Sequence, residues 1–111
     1  MFALTVAGGW CDENARCLNE EFLQKFRERK DGQSIVIILN ALGTSAFFSG
    51  QMEEARTYIE ESLELARQLG QVWDITLSLW ILGNIARRNN DFSGAREYYE
   101  QSLRVMKAAG K

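Results

Sequence analysis

The sequence predicts an all-α protein, a solenoid of about three helix-turn-helix hairpins with six helices, the first one truncated. Three observations predict it. The stretch "LGTSAFFSGQMEEARTYIEESL" (42–63) returns forty residues later as "LGNIARRNNDFSGAREYYEQSL" (82–103). Between 35–71 and 75–111, 12 of 37 positions are identical, and the matches fall at helical spacings rather than at random. Leu39, Leu42 and Ala46 are separated by three and four residues, as one helix face requires, and Ala55, Tyr58, Ser62 and Leu63 mark a second face. Finally, a polar stretch, "FFSGQ" or "RRNND", separates the two faces in each copy. A fixed period of this length is the signature of stacked repeats.

A weaker third copy leads the chain. Residues 13–27 align with 53–67 through Glu13, Ala15, Arg16, Glu20, Glu21, Leu23 and Arg27. Its first helix is reduced to "FALTVAGG", so the chain begins inside a unit, as a fragment of a larger protein or with a degenerate cap. The helices are placed at about 2–9, 12–30, 34–49, 52–69, 72–89 and 92–109, in one domain, 1–111, of units 1–32, 33–70 and 71–111. Gly32, Gly70 and Gly110 follow second helices, where a left-handed residue suits glycine. Ser34 and Asp91 are N-cap candidates. No proline interrupts the pattern. "SIVIILN" is β-branched enough for a strand, but its register with "DITLSLW" assigns it to a helix.

Packing explains the matched residues. Where two antiparallel helices come closest, one must offer almost no side chain. Gly43 and Gly83 fill that role, facing Ala55 and Ala95. Leu39, Leu42, Met52, Ile59 and Leu63 fill the flanks of one unit, and Leu79, Leu82, Phe92, Tyr99 and Leu103 those of the next. One hairpin cannot bury all this surface, whereas stacked hairpins share a core.

Composition narrows the chemistry. The net charge is −2 with no histidine, and the pI is about 5.2, which argues against a nucleic-acid partner for this segment. The longest apolar run, Ile35 to Leu39, is too short for a membrane span. The N-terminus lacks the features of a signal peptide, so a cytoplasmic protein is expected. Cys11 and Cys17 are six apart and have no histidine to complete a metal site. No phosphate loop, nucleophile elbow or convergent carboxylates appear. Neither catalysis nor a metal or cofactor is expected.

With the small residue, the alanine twelve after it, the large apolar residue four further on (Ile59, Tyr99) and the serine three beyond (Ser62, Ser102), the chain resembles the tetratricopeptide repeat (TPR). The resemblance is strong over 35–111 and weak over 1–34. The unit is 40 residues rather than the usual 34, and its closing proline is missing. Both departures point to the long-helix variety of bacterial signalling ATPases and regulators and of kinesin-light-chain-like adaptors. The resemblance implies a right-handed superhelix whose first helices line a concave groove for a protein or peptide partner. Helix geometry then places Asn40, Thr44, Phe47 and Phe48 toward the groove in one unit and Trp80, Asn84, Arg87 and Arg88 in the next. Asn40 and Asn84 suit a ligand backbone, Phe47 and Trp80 apolar contact, and the arginines a carboxylate. The same residues also fit plainer roles: Phe47 and Trp80 as core, Arg87 and Arg88 as solvated turn residues, Asn84 as a turn cap. The family's carboxylate-clamp pattern does not match, since Phe47 and Phe48 stand where the next unit has Arg87 and Arg88.

Two alternatives accompany groove binding. One is a homo-oligomer formed through uncapped repeat ends, with Tyr98, Val105 and Ala109 as its open apolar residues. The other is the sensor arm of a larger regulator.

Overall fold

The computed structural model describes residues 20–110, and every element in that range is an α-helix. Helix α1 is described over 20–29, followed by α2 (Gly32–Phe48), α3 (Met52–Leu69), α4 (Val72–Arg88) and α5 (Phe92–Ala109). The expected helix at 2–9, the start of the one at 12–30 and both cysteines lie outside the described residues. Helices α2 with α3 and α4 with α5 form the two antiparallel hairpins, and α4 stacks on α3. The result is the helical solenoid that the repeat demands.

The connections are more regular than the sequence suggests. A left-handed residue stands at Lys30 (φ 57°), Gly50 (83°), Gly70 (69°) and Asn90 (65°), one every twenty residues. At each, two backbone bonds close the preceding helix. Lys30, Gly50, Gly70 and Asn90 donate to the carbonyls of Arg27, Phe47, Arg67 and Arg87. Asp31, Gln51, Gln71 and Asp91 donate to those of Phe26, Ala46, Ala66 and Ala86. This paired closure is the Schellman arrangement. The next helix starts at once, so four identical turns fold the chain back on itself.

Three end assignments change. Gly32 opens α2 instead of closing α1, because the left-handed position is two residues earlier, at Lys30. The cap of α2 is Asp31 rather than Ser34: its carboxylate accepts from the Ser34 amide (3.3 Å) and hydroxyl (2.8 Å). Gly110 has φ −85° and is not left-handed. Asp91 caps α5 as expected, accepting from the Gly94 amide at 3.0 Å.

The two glycines do sit at the closest approach, although the partner differs from the expected alanine. A Cβ on Gly43 would collide with the Ile59 side chain, and the Ala55 carbonyl oxygen lies 3.4 Å away. A Cβ on Gly83 would come within 2.5 Å of the Tyr99 ring. The large residue four beyond the alanine lies over the glycine, and Ala55 and Ala95 are buried alongside. Around these points lie two clusters. Leu23, Ile35, Leu39 and Leu42 join α1 to α2, and Ala46, Ala55, Ile59, Ile81, Leu82 and Ile85 join α2, α3 and α4. Phe92 and Leu103 fail as flank residues, since both are largely exposed.

A lysine held left-handed is strained by about 1–2 kcal/mol, and asparagine tolerates the position better. Lys30→Gly should therefore stabilise the protein by about 0.5–1 kcal/mol, less than the strain because glycine loses more freedom on folding. Asn90→Gly should gain less. Thermal unfolding of both variants checks the order.

Candidate interaction surface

The first helices form the inner layer. Among the described residues α2 touches α4, whereas no comparable contact joins α3 to α5. The first helices thus lie closer to each other than the second helices do.

The structure divides the eight expected groove residues among three places. Asn40 is unavailable to a ligand. It is buried at the junction of α2, α3 and α4, where its side-chain oxygen accepts from Ser62 Oγ (3.0 Å) and Ser78 Oγ (3.3 Å). The two serine hydroxyls are themselves 3.4 Å apart. A buried amide that satisfies two hydroxyls fixes how α4 sits on the first hairpin, because either hydroxyl without an acceptor would carry a desolvation cost. Asn84 is also buried and accepts from the Tyr99 hydroxyl, which holds the ring over Gly83. Both asparagines thus work inside the protein.

Phe47, Phe48 and Arg88 are brought together at one end of the inner layer. Phe47 is half-buried against the α3–α4 core, and the Phe48 ring meets it edge-on at 5.3 Å. The Arg88 guanidinium carbon lies 5.2 Å from the Phe47 ring centre, a cation–π contact between α2 and α4. Phe48 is 78% exposed. Thr44 is half-buried and Arg87 is exposed.

Trp80 belongs to a different surface. It lies with Trp73, Thr76 and Leu77 of α4 on one side of a cavity of about 460 Å³; Tyr99, Ser102, Leu103 and Met106 of α5 form the other side. The lining is overwhelmingly apolar. This is the free face of the last hairpin. Of the α5 residues expected to be open, Ala109 is exposed at the helix end, whereas Tyr98 packs against the core cluster of α2, α3 and α4 and Val105 is half-buried. The open stripe is Tyr99, Ser102, Leu103 and Met106, at spacings of three, one and three.

A second cleft, of about 530 Å³, runs between α1, α2 and α3. Charged and polar residues make up most of its lining, and an ion pair of 2.8 Å between Arg27 and Glu61 bridges it. No group of acidic or cysteine side chains among the described residues could hold a metal. No described helix is long and apolar enough to cross a membrane.

The tetratricopeptide-repeat family pattern matches residues 34–108. The chain belongs to the tetratricopeptide-repeat family. Repeats of this family serve in general as protein-binding scaffolds. No curated protein and no solved structure matches the chain.

Repeat position and burial are separable in this TPR array. Leu23, Leu63 and Leu103 are equivalent by forty-residue steps. Leu23 is 7% exposed and Leu103 is 54% exposed, with Leu63 between them. Leu23→Asp should therefore cost about 3 kcal/mol or more by burying a charge, and Leu103→Asp should stay within about 0.5 kcal/mol of the parent. Urea denaturation of the two variants provides the comparison.

Proposed function

We propose that this protein is an interaction module that binds a segment of a partner protein on the free face of α4 and α5. The observation that carries this reading is the apolar cavity between Trp73, Trp80, Leu103 and Met106. Trp73 is 74% exposed and Trp80 52%. Two accessible tryptophans beside a concave apolar floor supply the aromatic anchors that dominate binding energies at protein interfaces. Polar groups are few there, so affinity comes chiefly from the removal of apolar surface from water.

The concave groove is the second reading. It is favoured by Phe48, exposed beside the Phe47–Arg88 stack, with Thr44 and Arg87 on the same helices. A partner there would present an aromatic or acidic residue to that end of the inner layer.

One experiment separates the two. The intact chain is immobilised, and partner capture is compared among the parent, Trp80→Ala and Phe48→Ala, with circular dichroism confirming equal helix content. Loss of one interface anchor typically weakens binding by about ten-fold or more. The free-face reading expects that loss for Trp80→Ala and near-parent capture for Phe48→Ala. The reverse pattern would assign the groove, and equal retention by both would reject each surface.

A further inference from the structure

Resting on the free-face reading, the identity of the occupant can be drawn from the repeat itself. Five residues of the open face have equivalents forty positions earlier that are already covered, whereas Gln33 and Ile37, the equivalents of Trp73 and Leu77, are exposed. Val36, Asn40, Ile59, Ser62 and Ala66 correspond to Thr76, Trp80, Tyr99, Ser102 and Met106. All five earlier residues are buried. What lies across them is α4: its Ser78 reaches Asn40 and Ser62, and its Ile81, Leu82 and Ile85 pack with Ile59. The molecule therefore contains its own example of how this surface is filled, by a helix whose contact stripe has a hydroxyl at its centre and aliphatic residues beyond.

We infer that the free face of α4 and α5 accepts an amphipathic α-helix of a partner protein, laid across it as α4 is laid across α2 and α3, with serine or another small residue opposite Ser102 and Thr76. Three further observations narrow the occupant. First, the Thr76 hydroxyl is buried in the wall of the cavity without a hydrogen-bond partner, and the Ser102 hydroxyl reaches only the Thr76 carbonyl at a long 3.5 Å. A small hydroxyl arriving where Ser78 sits one unit earlier would meet both groups. Second, the open face is bulkier than its equivalent, with tryptophan for Asn40, tyrosine for Ile59 and methionine for Ala66. The incoming helix must be slimmer than α4, with alanine-sized residues where it crosses Trp80 and Met106. A second copy of this face fits badly, because two-fold pairing would set protruding tryptophans against one another. Third, both walls are helices whose backbone groups are internally bonded. They offer no row of free amides and carbonyls to an extended segment, whereas a helix arrives with its own backbone satisfied.

The test uses the intact 111-residue chain and a synthetic peptide with the sequence of residues 72–88 carrying Trp73→Ala and Trp80→Ala. Those exchanges lie away from the helix's stacking stripe and remove its tryptophans, so that emission reports the protein's own Trp10, Trp73 and Trp80, of which the last two line the face. A second peptide carries Ser78→Pro in addition and cannot remain helical through its centre. The expected result is a saturable blue shift with the first peptide, binding weaker by about ten-fold or more with the second, and no shift with a Leu103→Asp protein. Equal binding of the two peptides, abolished by Leu103→Asp, would reject the helix while leaving the free-face reading intact. Binding of the first peptide undiminished by Leu103→Asp, or no binding at all, would overturn the inference. A concentration-dependent dimer in sedimentation, lost in Leu103→Asp, would overturn it in favour of a second copy; capture by the Trp80→Ala protein decides the free-face reading separately.

Discussion

The distance between paired helices is set by two absent side chains. At Gly43 and Gly83 a helix of one arm lies so close to its neighbour that a single added carbon would strike Ile59 or the Tyr99 ring. Cores packed near crystal density do not absorb such an intrusion without moving backbone. Close approach lets the leucines around each glycine mesh, and that meshing fixes the rotation of each helix about its axis. Rotation in turn decides which residues face the next hairpin. The solenoid is thus a consequence of one local contact repeated after forty residues.

From that constraint follows a division of labour between identical turns and varied faces. The four turns are alike because each of α1 to α4 ends in the same paired backbone closure, whatever residue occupies the left-handed position. The stacking faces are not alike. Between the first and second hairpins the contact is centred on a buried polar group, Asn40 with Ser62 and Ser78. At the last hairpin the asparagine has become Trp80, the Thr76 hydroxyl has no hydrogen-bond partner, and the surface is open. Equivalent helix faces thus carry a covered polar contact in the first hairpin and an uncovered apolar surface in the last.

Much of this was legible in the sequence because the packing residues are small, apolar and periodic. Gly43, Ala55, Leu39 and Leu42 have one plausible role at their spacings, and their copies at 83, 95, 79 and 82 repeat it. The errors have physical causes. Asp31 outcompetes Ser34 as a cap because the left-handed residue falls at Lys30, and a lysine carries no sequence signal for that conformation. Asn40 reads as a groove residue when only its own helix is considered; its burial depends on Ser62 and Ser78, which lie on other helices. Tyr98 and Tyr99 are adjacent aromatics, and only the tertiary structure shows that the first turns into the core while the second lies over Gly83. Met106 is marked by the repeat, since it stands forty positions after the buried Ala66, whereas Trp73 follows the exposed Gln33 and carries no such signal.

The central claim is that the glycine and the ring above it form one contact. A double-mutant cycle of Gly83→Ala and Tyr99→Leu, measured by denaturant unfolding, tests it most directly. If the contact sets the helix spacing, the added methyl is costly beside tyrosine and mild beside leucine, giving a coupling energy of about 1 kcal/mol or more. Effects that simply add, within about 0.5 kcal/mol, would show that Gly83 and Tyr99 act independently and would contradict the account.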